Sequence, residues 1–80
     1  MKWNYASLKK KDLVDIINII TKKPFSIKQS GENHIDVYSD SEHAAGININ
    51  NMTIRYESSK AGESLKKKLQ DFEYPQHESP

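Results

Sequence analysis

Apolar residues recur at two different spacings along this chain. Leu13, Ile16, Ile17 and Ile20 fall at i, i+3, i+4 and i+7, and Val14 and Ile19 widen the stripe they form. Lys11, Asp15, Asn18 and Lys22 take the opposite side. That is the helical period, and it predicts an amphipathic helix over residues 8–22 at the centre of the core. Ser7 stands at the N-cap position. Lys9, Lys10 and Lys11 oppose the helix dipole there, which shifts the start toward Asp12. Lys23-Pro24 closes the helix, because the residue before a proline is driven out of the α region.

The period then changes to two. Phe25 and Ile27 alternate with Ser26 and Lys28, and Ile35 and Val37 alternate with His34, Asp36 and Tyr38. Ser30-Gly31-Glu32-Asn33 between them is a turn signal, so the two runs predict a hairpin. Residues 40–46 read as a polar loop. A third strand region spans 47–57, with Met52, Ile54 and Tyr56 on one face and Thr53, Arg55 and Glu57 on the other. Ile47 and Ile49 sit on the second parity, which predicts a bulge or turn near Asn50-Asn51. Ser58 or Ser59 caps a closing helix that runs to about residue 72 and buries a narrow stripe of Ala61, Leu65, Leu69 and Phe72.

These elements predict an α+β fold in the order α-β-β-β-α, with two helices packed on one face of a three-stranded antiparallel sheet. One compact domain covers residues 1–72, and residues 73–80, which hold two prolines and no aliphatic side chain, form a flexible tail. The second sheet face is open to solvent and carries Ser26, Lys28, His34, Asp36, Tyr38, Thr53, Arg55 and Glu57. Trp3 and Tyr5 precede the first helix and are read as stapling it to the sheet.

Composition narrows the function classes. The chain has 80 residues, 35% of them hydrophobic, and no cysteine, so neither a disulfide nor a thiolate metal site supplements a small core. A net charge of +1 is low for a general polyanion binder. No apolar run approaches the roughly 18 residues of a membrane span, and the N-terminus lacks an apolar signal core, so a cytoplasmic protein is the expectation. Arg55 is the only arginine among many lysines, and with abundant Ile and Asn this points to an AT-rich coding sequence such as some phages and plasmids carry.

Candidate chemistry is sparse. His34, Asp36, Asp40, Glu42 and His43 lie close in sequence, yet their spacing matches no H-x-x-x-H, no E-x-x-H and no calcium loop. Nucleophile-elbow and phosphate-loop patterns are missing as well. A non-enzymatic protein without metal or cofactor is the expectation. The runs Lys9-Lys10-Lys11 and Lys66-Lys67-Lys68 fan around their helices, so Lys9, Lys10, Lys66 and Lys68 flank the apolar stripes while Lys11 and Lys67 point outward.

Two resemblances bear on function. The order α-β-β-β-α, Pro24-Phe25, the Gly31 to His34 segment and Ser59-Lys60 resemble the double-stranded RNA-binding domain over about residues 8–72. That resemblance implies nucleic-acid contacts from His34, Lys60 and Lys67, although Ala61-Gly62-Glu63 stands where the family has further lysines. In length, element order and lack of catalytic motifs, the chain also looks like small phage-encoded inhibitors, including anti-CRISPR proteins, which implies blocking of a partner's surface. The preferred expectation is a protein-binding module of that inhibitor type. Its contact residues are Lys28, His34, Asp36, Tyr38, Glu42, His43, Arg55 and Glu57, on the open face and the 39–51 loop. The alternatives are the nucleic-acid binder and a homodimer that completes its core by pairing a sheet edge.

Overall fold

The computed structural model describes residues 4–74. It is α+β, with a five-stranded, wholly antiparallel sheet where the sequence pattern predicts three strands. The elements run β1 (Asn4–Ser7), a 3-10 turn (Lys10–Asp12), α1 (Leu13–Ile20), β2 (Phe25–Gln29), β3 (His34–Ser39), β4 (Glu42–Asn48), β5 (Thr53–Tyr56), α2 (Lys60–Leu69) and a second 3-10 turn (Gln70–Phe72). Strand order across the sheet is β1-β5-β4-β3-β2. The order α-β-β-β-α is therefore corrected by two additional strands, β1 and β4.

Strand β4 occupies the stretch that reads as a loop. Glu42 to Asn48 shows no clean alternation because it runs through Ala44, Ala45 and Gly46, residues of low strand propensity. Central position explains the choice: α2 packs over this strand, and its alanines leave room for it. The turn that starts β4 is equally disguised. Asp40 and Ser41 have φ of 50° and 74°, and Ser39 pairs with Glu42, which is a two-residue turn with both central residues in the left-handed region. Asp-Ser fills it instead of the usual Asn-Gly, so the hairpin gives no signal in sequence.

Strand β1 takes the predicted cap residue, and the predicted start of the first helix is a β-bridge at Leu8 followed by the 3-10 turn. Ser7 is the last residue of the strand rather than an N-cap, and the helix proper begins after Asp12, where the dipole argument puts it. Tyr5 pairs with Arg55 and points to the open face, so it does not staple the helix; Trp3 lies outside the described residues.

Both helices bury their stripes on the same sheet face. Ile16 and Ile20 of α1 and Ala61, Leu65 and Leu69 of α2 meet Phe25, Val37, Ile47, Ile54 and Tyr56 in one cluster. Only part of the α1 stripe is used: Val14 is 72% exposed and Ile17 37%, because the helix sits over the outer strand β2 and no element among the described residues packs on its far side. Ser59 caps α2 by accepting from the Gly62 amide. A Cβ on Gly62 would lie 2.0 Å from the Glu57 carbonyl oxygen, so this glycine permits the close approach of α2 to the end of β5.

Two residues of the predicted tail are tied down. Leu8 bridges Glu73, the Tyr74 amide donates to the Ser7 carbonyl, and the Lys9 amide donates to the Phe72 carbonyl. The Tyr56 hydroxyl donates to the Glu73 carboxylate at 2.5 Å. Residues 75–80 lie outside the described residues. No helix is long and apolar enough to cross a membrane among the described residues.

Candidate functional site

The open sheet face follows directly from the register. Tyr5 lies opposite Arg55, Arg55 opposite Gly46, Gly46 opposite Asp36, and Asp36 opposite Lys28. One row thus crosses all five strands on the side away from the helices. His34, Tyr38, Asn48 and Thr53 share that face by two-residue parity.

A β-bulge decides the centre of the site. Val37 pairs with Ala45, but Tyr38 pairs with His43, so Ala44 is the extra residue. In an unbroken register Ala44 would face solvent and His43 would point toward the helices. The bulge buries Ala44 completely and turns His43 onto the open face beside Tyr38, whose ring it meets edge-on at 5.3 Å.

His43 then links three strands' worth of charge. Its Nδ1 lies 2.8 Å from Glu57 Oε2 and its Nε2 lies 3.0 Å from Asp36 Oδ1. His34 Nε2 reaches the same Asp36 oxygen at 3.2 Å. Burial alone would lower the His43 pKa, but the hydrogen bonds and charges of Asp36 and Glu57 outweigh it and hold the pKa above its ordinary value. At Asp36 burial pushes the pKa up, and hydrogen bonds from His43, Ser30 and His34 reverse this to a net lowering. A ring facing a carboxylate at each nitrogen donates from both, so the imidazolium is the form that satisfies both contacts.

That arrangement constrains the chemistry. In the imidazolium form both nitrogens donate, and His43 then has no lone pair for a general base or a metal ligand. Among the described residues no group of three or more His, Asp and Glu side chains is placed to hold a metal ion.

Seven of the eight predicted contact residues come together on this face: Lys28, His34, Asp36, Tyr38, His43, Arg55 and Glu57. Glu42 does not join them; it pairs with Ser39 at the hairpin tip, on the opposite parity. The nucleic-acid set does not assemble either. His34 lies on the open face, whereas Lys60 and Lys67 lie on α2 behind the sheet. Tyr5, Gly46, Asn48 and Asn51 are additions. They border an open concavity of about 400 Å³ together with His34, Thr53 and Arg55. Only the turn near Asn50-Asn51 is visible in sequence; in the structure Asn48 Oδ1 accepts from the Asn50 and Asn51 amides at 2.9 and 3.3 Å.

No protein-family model matches this chain, and no curated protein or solved structure matches it either.

Proposed function

We propose that the protein is a small non-enzymatic protein-binding module whose contact surface is the open face of the sheet. The observation that carries this is the His43 network. The bulge brings an imidazolium to the centre of a face that no element covers among the described residues, and there a carboxylate engages each of its nitrogens. Such a face presents fixed charge of both signs, with Tyr38 and Tyr5 as aromatic anchors around it, which is what recognition of a protein surface uses. A rigid patterned face with no turnover fits an inhibitor that works by covering its target, in the manner of small mobile-element inhibitors such as anti-CRISPR proteins.

The test compares proteins retained by the wild type with those retained by Tyr38→Ala/Arg55→Ala, after thermal melts show both to be folded. Loss of a wild-type partner in the double variant supports the assignment. Equal retention of every partner by both proteins removes this surface from the function.

A second reading rests on a different observation. Lys22 and Lys23, after α1, and Lys68 of α2 border one hollow of about 140 Å³ with no carboxylate in its lining. A nucleic-acid binder would therefore use the helix layer rather than His34. Duplex RNA and DNA titrated at two salt concentrations discriminate: phosphate contacts make affinity fall steeply with salt, and no binding at low salt excludes this reading.

A further inference from the structure

The outer edge of β2 carries an order of hydrogen-bonding groups fixed by its inner neighbour. The Asp40 amide donates to the Pro24 carbonyl at 3.1 Å, and the Ser30 amide to the His34 carbonyl at 3.0 Å. An antiparallel ladder bonds every second residue, so residues 24, 26, 28 and 30 direct their backbone groups to β3. The groups of Phe25, Ile27 and Gln29 point the other way, where no strand lies among the described residues. The Phe25 amide is taken by the Lys22 carbonyl at 2.9 Å. The edge therefore presents, in order, the Phe25 carbonyl, the Ile27 amide and carbonyl, and the Gln29 amide and carbonyl. No proline interrupts Phe25–Gln29, and its one charge, Lys28, points to the open face. Ile27 stands at the middle on the helix side, opposite the fully buried Val37, and is still 39% exposed.

We propose that this edge is the interface of a symmetric homodimer, in which β2 of one copy pairs antiparallel with β2 of the other about a twofold axis at Ile27. The order of groups selects the partner and the register. Turned about Ile27, the edge matches itself: each Ile27 amide meets the other Ile27 carbonyl, and each Gln29 amide meets the other Phe25 carbonyl. Four bonds form, and the occupied Phe25 amide falls opposite the Gln29 carbonyl, the acceptor left over. Moving the axis to Ser26 leaves two bonds. Moving it to Lys28 keeps four but sets the two Lys28 side chains directly opposite each other, where like charges repel. About Ile27, Lys28 faces Ser26 instead. The same register carries the exposed Lys22 and Lys23 of one copy toward the exposed turn at Gly31-Glu32 of the other, so opposite charges meet at both ends of the ladder. Five residues make a short ladder, and the apolar cover comes from the two Ile27 side chains, with Ile17 of α1, 37% exposed, on the same side of the sheet. A strand from another protein would need this order of groups and an acid beside Lys22; a second copy carries both. The product is one continuous sheet with the helices of both copies on one side and both open faces on the other. This pairing does not depend on the binding role of the open face.

The test is sedimentation equilibrium of the whole protein over a concentration series. The expected result is a monomer–dimer equilibrium with no larger species. Gln29→Pro removes an outward amide from an edge strand, where proline is tolerated. It should raise the dimer dissociation constant about thirtyfold, the effect of losing both Gln29–Phe25 bonds. Ile27→Lys sets two like charges at the axis and should abolish the dimer. Glu32→Lys lies in an exposed turn, so it answers the question even where a strand variant fails to fold. It should weaken the dimer, and adding Lys22→Glu and Lys23→Glu to it should restore association. Amide hydrogen exchange gives the local sign: Ile27 and Gln29 should slow as concentration rises, while Phe25, already bonded to Lys22, should not change. A monomer at every concentration, growth beyond a dimer, a dimer that folded Ile27→Lys or Glu32→Lys leaves intact, or association without slower exchange at Ile27 and Gln29 would each overturn the proposal.

Discussion

Replacing His43 with glutamine should destabilise the protein in a pH-dependent way. Glutamine keeps a polar side chain of similar reach but cannot carry charge to both carboxylates. Hydrogen bonds to charged groups are worth about 1.5–3 kcal/mol each. The His43 side chain is 33% exposed, and solvent screening pulls each contact toward the range of about 0.2–1 kcal/mol typical of exposed pairs. Two such contacts together come to about 1–2 kcal/mol, which in a domain this small shifts Tm by roughly 5–10 °C. The pH window follows from the two shifts. His43 titrates above its usual 6.5, so its contribution is complete below 6.5 and is lost as pH rises through its folded-state value. Asp36 titrates below its usual 3.8, so its contribution is present above 3.8 and is lost as pH falls through its folded-state value. The Tm gap between wild type and His43→Gln, read by circular dichroism, should be widest between these two ordinary values and close on the alkaline side. A gap that stays constant from mildly acid to alkaline pH, or widens upward, refutes the role given to the imidazolium.

Other outcomes separate the parts of the fold. Gly62→Ala places a methyl into the Glu57 carbonyl and should cost at least about 1–3 kcal/mol, seen as a lower urea midpoint. Ile16→Ala should cost about 2–5 kcal/mol, whereas Val14→Lys, on the uncovered side of α1, should stay within about 0.5 kcal/mol; equal losses in the same denaturation series would show that α1 is rotated. Tyr56→Phe removes the hydrogen bond to Glu73 and should cost about 1 kcal/mol, with faster hydrogen exchange at the Tyr74 amide as its local sign.

What the sequence reveals follows the strength of its periodicity. The buried stripe of α2, the β2–β3 hairpin and the inward face of Met52, Ile54 and Tyr56 are legible because packing against one core enforces strict spacing, and the α2 cap is legible to within Ser58 or Ser59. The strand β4 is illegible because its job is to be thin: alanine and glycine under α2 erase the alternation that marks a strand. The open face is legible as a parity class, which is why Lys28, Asp36, Tyr38 and Arg55 can be assigned to it. His43 is on it for a reason parity cannot supply, since the bulge at Ala44 reverses which neighbour faces solvent. The concavity is hidden for a similar reason, because it needs β1 beside β5, and four residues before a helix carry too little pattern to declare a strand.

The two margins of the sheet are finished differently. At the end of β1 the chain returns through Phe72 and Tyr74 and pairs with Ser7, Leu8 and Lys9. Along β2 no strand lies outside Phe25–Gln29 among the described residues. The β2 margin therefore keeps outward-facing backbone donors and acceptors of the kind that a further antiparallel strand uses, whereas at Ser7–Lys9 the opposite margin is already paired within the chain.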